Sequence, residues 1–175
     1  MRCGVASSES NTWYAVPANL SSSTCAASSG PLSPVGVLGP GRVPVPQAAL
    51  ESACVYVLDR IQFGKATVEY GLTQFMIGKM AAKLAASRAI TYAAAVAMDE
   101  DERKAAPLAA QAKLLSCDIA VAITQDAQLL HGGWGYAEEY AISRYVVDAQ
   151  VLPIFEGVKP ILALKVVGRA LLAGG

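Results

Sequence analysis

The stretch Val68–Leu130 reads VEYGLTQFMIGKMAAKLAASRAITYAAAVAMDEDERKAAPLAAQAKLLSCDIAVAITQDAQLL. Leu72, Met76, Met80 and Leu84 fall four apart with Phe75 beside them, which predicts a long helix over about 68–98 with an apolar stripe. The alanines between them allow another helix to approach closely, while Gly71 and Gly78 each weaken the helix by roughly 1 kcal/mol relative to alanine. The charged run Asp99-Glu100-Asp101-Glu102-Arg103-Lys104 reads as a solvated connector. Pro107 suits the first turn of a second long helix to about Leu130, with Leu108, Leu115, Ile119, Ala122 and Ile123 as its stripe. Two such helices joined by a short polar turn are the centre of an all-α, up-down helical bundle.

Outward from that pair, Pro46 opens a helix from Gln47 to about Arg60, carrying Leu50, Cys54, Val57 and Leu58. Ile61-Gln62-Phe63-Gly64 closes it with glycine in the usual stop position. C-terminal to the pair come a glycine-rich turn (Gly132-Gly133-Trp134-Gly135-Tyr136), a short helix over about 140–150, and a last apolar helix over about 158–172. No segment of useful length has a strand period. Residues 1–45 are rich in Ser, Ala, Gly and Pro and poor in large apolar side chains. Such a segment cannot offset its ordering entropy by burial and is expected to be disordered, leaving 46–175 as the bundle domain.

The 175 residues carry 54% hydrophobic and 16% charged side chains, with 14 basic and 14 acidic residues and zero formal net charge. A chain this apolar is expected to cover more than its own core, as a homo-oligomer or against a partner domain. Zero net charge supplies no field to attract nucleic acid or an anionic membrane. No run of apolar residues reaches the roughly 18–20 that span a bilayer, so no membrane insertion is expected. Cys3, Cys25, Cys54 and Cys117 have no metal-ligand spacing, and His131 is the sole histidine. No metal site is expected, and the thiols are expected to be reduced. The N-terminus lacks a signal peptide's apolar block and makes a poor transit peptide.

Glu156 is the residue most suited to chemistry. It lies among Val151, Leu152, Ile154 and Phe155, just before a helix. Apolar surroundings penalise a carboxylate's charge and a helix N-terminus stabilises it, so expulsion of water by a bound substrate would tip Glu156 towards general-base action. The alternative is that Glu156 caps the last helix. Arg60 can contact a phosphate or sit as a surface charge. His131 reads as a helix-end residue, Arg144 and Asp148 as an i,i+4 surface pair, and Trp134 and Tyr136 as core or interface aromatics. Gly132-Gly133-x-Gly135 can bring backbone close to a ligand, but with no preceding strand it is no dinucleotide fingerprint.

Taken in order, Arg60-Ile61-Gln62-Phe63-Gly64-Lys65, Ala112-Lys113, Asp118, Asp126-Ala127, Gly132-Gly133-Trp134-Gly135-Tyr136, Glu139-Tyr140, Arg144-Tyr145, Asp148-Ala149 and Ile154-Phe155-Glu156-Gly157 resemble the C-terminal domain of the acyl-CoA dehydrogenases. The resemblance runs from about Gln47 to Leu172 and covers roughly the last third of a family member. It implies a flavin enzyme that forms an α,β double bond in an acyl-CoA thioester, with Glu156 as α-proton base and FAD as hydride acceptor. One hydrogen bond to the thioester oxygen is implied from the glutamate's own backbone N–H. Arg60 and Phe63 inherit contacts to FAD held mainly by a neighbouring subunit, Gly133 lies along the same cofactor, and Phe155 and Gly157 flank the substrate.

The pattern departs from the family at Leu129, where a glutamine is usual, at Tyr70-Gly71 for His-Gln, at Val147 for the arginine before Asp148-Ala149, and at Val158 and Pro160. Cofactor contacts are therefore fewer. The Arg-Tyr-x-Val-Asp-Ala and Ile-Phe-Glu-Gly forms are similar to bacterial members of the methylsuccinyl-CoA dehydrogenase type. The family's N-terminal helical and middle β-domains have no counterpart in residues 1–45, which implies a chain inactive by itself. By resemblance the electron acceptor is electron-transferring flavoprotein, the assembly a dimer or tetramer, and the location the bacterial cytoplasm or the mitochondrial matrix. A non-catalytic oligomerisation module and an acyl-CoA oxidase fragment are the competing expectations.

Overall fold

The computed structural model describes residues 44–173; the segment read above as disordered lies, up to residue 43, outside the described residues. Helix α1 spans Pro44–Asp59 and a hairpin pairs β1 (Ile61–Gln62) with β2 (Lys65–Ala66). A 3₁₀ turn over Thr67–Glu69 leads into α2 (Gly71–Glu100), α3 follows over Glu102–His131, and a second 3₁₀ turn covers Gly132–Tyr136. Helix α4 spans Ala141–Val151. The last helix, α5, covers residues 159–173 in three parts: α-helical Lys159–Ile161, a π-helical stretch Leu162–Gly168, and α-helical Arg169–Ala173.

The fold is the expected all-α, up-down bundle with α3 at its centre. Lys79 and Lys83 of α2 reach Asp126 of α3 at 3.3 and 3.4 Å, which fixes the two helices as antiparallel. Tyr140, before α4, packs on His131, while Leu152, after it, packs on Cys117, so α4 runs back along α3. The core joins Ala49 and Ala53 (α1), Met80 and Leu84 (α2), Ile119, Ile123 and Ala127 (α3) and Ile142 (α4). Alanine supplies much of this contact, which lets the helix axes close up as the sequence suggested.

Several elements differ from their sequence pattern, each for a physical reason. Leu72 and Phe75 are exposed, as are Leu58 and Leu115. Side chains four apart advance by about 400°, so a row of them drifts about 40° per step, and Leu72 stands roughly 120° around α2 from buried Leu84. The charged connector shrinks to Asp101, whose carboxylate accepts from the backbone N–H groups of Arg103 and Lys104 at 3.1 and 3.2 Å. That cap starts α3 ahead of Pro107, which sits inside the helix.

Gly64 does not stop α1; Phe63 (φ 50°) and Gly64 (φ 82°) form the tight turn of the hairpin, a left-handed pair that twists with its strands. Segment 102–136 is long and apolar enough to cross a bilayer, contrary to the sequence expectation, yet 50% of its apolar window is buried in the bundle, as in a core helix. Cys54 is a free thiol, and burial together with the nearby Glu51 carboxylate pushes it up.

Candidate functional site

Lys113 is completely buried in the middle of α3, among Ala109, Ala110, Ala112, Ser116 and Cys117. An ammonium taken out of water costs several kcal/mol unless its donors are satisfied. It carries three N–H donors, and three carbonyls meet it: those of Phe155, of Glu156 at 2.7 Å and of Gly157 at 2.9 Å. Its Nζ also stands 5.7 Å from the Phe155 ring centroid. The chain therefore curls around one buried cation at the Ile154-Phe155-Glu156-Gly157 step.

Cys117, one turn further along α3, donates to the Leu152 carbonyl at 3.4 Å and packs with Ala120 and Leu152. Asp118 pairs with Lys159 at the start of α5. One side of α3 thus grips the segment between α4 and α5 at successive turns.

Three carbonyls can converge only if the backbone bends sharply. Glu156 adopts φ 52° and Gly157 φ 101°. A left-handed conformation costs a non-glycine residue about 1–2 kcal/mol, and such strain concentrates where geometry serves function. Gly157 is constrained further: a Cβ there would lie 3.2 Å from the Leu162 side chain. The carbonyls face Lys113 and Glu156 is exposed. The capping alternative fails, because Val158 is the N-cap of α5 and makes no side-chain cap bond. Of the apolar neighbours of Glu156, Leu152 is buried, whereas Val151, Ile154, Phe155 and Val158 are exposed. Any desolvation of this carboxylate must come from something laid over the chain.

The other candidates gather near the far end of α3. Lys113 and His131 are eighteen residues apart, or about 27 Å of helix. There, an open cleft of about 600 Å³ is lined by Arg60, Glu51, Asp59, Tyr56, His131, Trp134, Tyr140 and Tyr145, among others. His131 is the last residue of α3, as expected, and is buried. Its Nδ1 lies 2.8 Å from the Ala127 carbonyl, which can only accept, so Nδ1 carries the hydrogen. Its ring stacks on Tyr56 at 4.4 Å, and Nε2 is 3.4 Å from the Ser52 hydroxyl. Gly133 is exposed beside the cleft, and a Cβ added there would meet nothing within 4 Å. Gln128 donates to the Gly135 carbonyl at 3.0 Å, whereas Leu129 is exposed.

Phe63 is 96% exposed at the hairpin tip. The hairpin is braced by Tyr70, whose hydroxyl donates to the Gln62 carbonyl at 2.8 Å, and by the Thr67 N–H donating to the Arg60 carbonyl at 2.8 Å. Trp134 and Tyr136 are exposed rather than core. Arg144 does not pair with Asp148; it reaches the Glu138 carbonyl at 3.4 Å.

The structure thus joins Phe155, Glu156 and Gly157 in one place, brings Arg60 to the side of the bundle that holds Gly133 and Phe63, and holds these two groups apart. Lys113 is among the ordered motifs of the sequence but is given no role there. The signal was available: a lysine four residues after Ala109 and three before Ser116 falls on the core face of an alanine-rich helix, where an ammonium needs a dedicated set of acceptors.

Residues 38–172 match the family described as acyl-CoA dehydrogenase, C-terminal domain. The chain is 38% identical over 135 residues to the probable acyl-CoA dehydrogenase fadE25 of Mycobacterium leprae, across 77% of this chain and 34% of the relative. It is 41% identical over 128 residues to the (2S)-methylsuccinyl-CoA dehydrogenase of Cereibacter sphaeroides, across 73% of this chain and 23% of that protein. Among solved structures, butyryl-CoA dehydrogenase of Megasphaera elsdenii superposes with a TM-score of 0.72 at 33% identity, covering 79% of this chain and 36% of that one. The chain spans about a third of the length of the first of these relatives. With a helical bundle of matching architecture, the chain belongs to the acyl-CoA dehydrogenase family and carries its C-terminal domain.

Proposed function

We propose that this chain supplies the base-bearing domain of a flavin-dependent acyl-CoA dehydrogenase, with Glu156 as the α-proton base, and that it acts only in combination with the domains that complete its relatives. The observation that carries this reading is the left-handed Glu156, exposed on a loop whose three carbonyls are fixed by a buried cation. A carboxylate held so can take the α-proton of an acyl-CoA thioester while the β-hydrogen leaves with its electron pair, and the C–H electrons at the α-carbon become the double bond. The Glu156 backbone N–H donates to the thioester oxygen as charge develops on it. Phe155 and Gly157 flank the substrate.

Members of this family are flavoproteins, and the residues present suit one wall of an FAD site. Arg60 brings a guanidinium to an open cleft, Gly133 leaves room for close approach, and Phe63 offers an exposed aromatic face on a braced hairpin. When bound, FAD supplies the acceptor for the β-hydride. Because these residues lie far along the bundle from Glu156, we assign them to cofactor shared with a second copy of the chain in a homo-oligomer, dimer or tetramer. Electron-transferring flavoprotein is the acceptor that fits the family.

Co-expression with the N-terminal and middle domains of a relative tests the proposal. Yellow protein that oxidises an acyl-CoA and reduces electron-transferring flavoprotein is expected, with flavin lost on Arg60→Ala. Colourless, inactive assemblies would overturn it.

A further inference from the structure

We infer that Lys113 is a positioning residue for the reaction, one that aims both the Glu156 carboxylate and the Glu156 backbone N–H. The inference rests on the assignment of Glu156 above and deepens it.

The geometry follows from the peptide bond. The described residues contain no cis peptide, so in every unit the C=O and the following N–H point in opposite directions. The carbonyl of Phe155 belongs to the same peptide unit as the N–H of Glu156. With that carbonyl bonded to the buried Lys113 ammonium, the Glu156 N–H is directed away from α3. The Glu156 carbonyl, at 2.7 Å from the same nitrogen, fixes the other side of the residue, and the Gly157 carbonyl at 2.9 Å fixes the next peptide.

Two peptide planes flanking one Cα determine where its side chain leaves the backbone. Lys113 therefore sets the exit direction of the carboxylate and of the hydrogen-bond donor together, and it does so from the side opposite the substrate.

The electrostatics act in the same sense. A carbonyl that accepts from an ammonium in a buried site is polarised, and polarisation along the peptide strengthens its N–H as a donor. Lys113 touches no substrate in this scheme. Its side chain is wholly buried and donates to three carbonyls of the loop.

The same contacts explain how the loop tolerates Glu156 at φ 52°. Three charge-assisted hydrogen bonds over-determine a backbone that would otherwise relax.

The test has an arm on the 175-residue chain and an arm on the completed enzyme. In the chain, Lys113→Met is expected to speed amide hydrogen exchange selectively over residues 155–158, with Lys113→Arg restoring part of the protection. In the completed enzyme, Lys113→Met is expected to lower kcat by about 10²-fold with KM for the acyl-CoA nearly unchanged. It should also reduce the downshift of the bound thioester carbonyl stretch in infrared difference spectra, which reports the N–H donor directly. If Lys113→Met does not fold, Lys113→Arg carries the test, because a guanidinium keeps the charge but misplaces the donors: the carbonyl stretch should still move.

Unchanged exchange over 155–158, or an unchanged carbonyl stretch in a folded variant, would overturn the inference. Glu156→Gln run alongside separates the two claims. Activity surviving in Glu156→Gln removes the base assignment, while the exchange and carbonyl-stretch results still decide the role of Lys113.

Discussion

Single side chains in this bundle show how far a local cost is accepted for geometry. Glu156 and Phe63 are the non-glycine residues with positive φ among those described, and both are exposed. Each backbone is held from behind: Glu156 by Lys113, Phe63 by the Tyr70 and Thr67 contacts of the hairpin. Replacing Phe63 with glycine sets the roughly 1–2 kcal/mol relief of left-handed strain against the 0.5–1 kcal/mol that glycine's unfolded-state freedom costs. Urea denaturation of Phe63→Gly should therefore show stability within about 1 kcal/mol of the wild type, while flavin retention in the completed enzyme falls. A large stability loss would mean that the ring packs within its own chain. Ser87 provides a contrasting case: it is fully buried and its hydroxyl has no hydrogen-bond partner. Ser87→Ala should gain about 0.5–1 kcal/mol, since alanine removes a desolvated hydroxyl and favours helix.

Among the elements, the junction of α2 and α3 illustrates what sequence pattern reveals and what it hides. The run 99–104 signals a break between helices, but which residue breaks depends on where a carboxylate can reach two free N–H groups, and Asp101 does. The Lys104 side chain and backbone, and the backbone of Arg103, hold the Asp101 carboxyl below its ordinary value. A lowered carboxyl stabilises the fold above its unfolded value and loses that contribution as pH falls through the lower folded value. Asp101→Ala should lower the melting temperature at neutral pH, and the difference from wild type should shrink on acidification below about pH 4. Thermal melts across that range would measure both.

Helix periodicity likewise made α1 to α5 legible, because apolar spacing is local. The hairpin was not, since two-residue strands carry no period and Gly64 suits a helix stop as well as a turn. The exposure of Leu72 and Phe75 was hidden for another reason: which face of α2 is buried is decided by α1 and α3, not by α2 itself.

At the scale of the molecule, apolar side chains are left uncovered in several places, Ile154, Phe155 and Val158 among them, and one group lies at an end of the bundle. Phe63, Leu72, Phe75, Leu129, Trp134 and Tyr136 are all exposed where α1 ends, α2 begins and α3 terminates. The high apolar content of the sequence forecasts such surface without locating it. The double change Leu72→Glu and Phe75→Glu should leave the fold within about 0.5 kcal/mol per site, as for other exposed positions, yet reduce self-association in sedimentation. Retained association would place the contact elsewhere. The candidate site divides in the same way. The ordered motifs single out Glu156, Arg60 and Gly133 as candidates, whereas the Lys113 cage depends on contacts across more than forty residues.

Exchange of the substrate's α-proton tests most directly whether Glu156 is the base. The completed enzyme is incubated with an acyl-CoA in deuterium oxide and the thioester is followed by mass spectrometry. Wild type should incorporate deuterium at the α-carbon, and Glu156→Gln, with flavin and fold retained, should slow incorporation and dehydrogenation together by at least about 10²-fold. Deuterium incorporation at the wild-type rate in Glu156→Gln would contradict the account and assign the base to another residue.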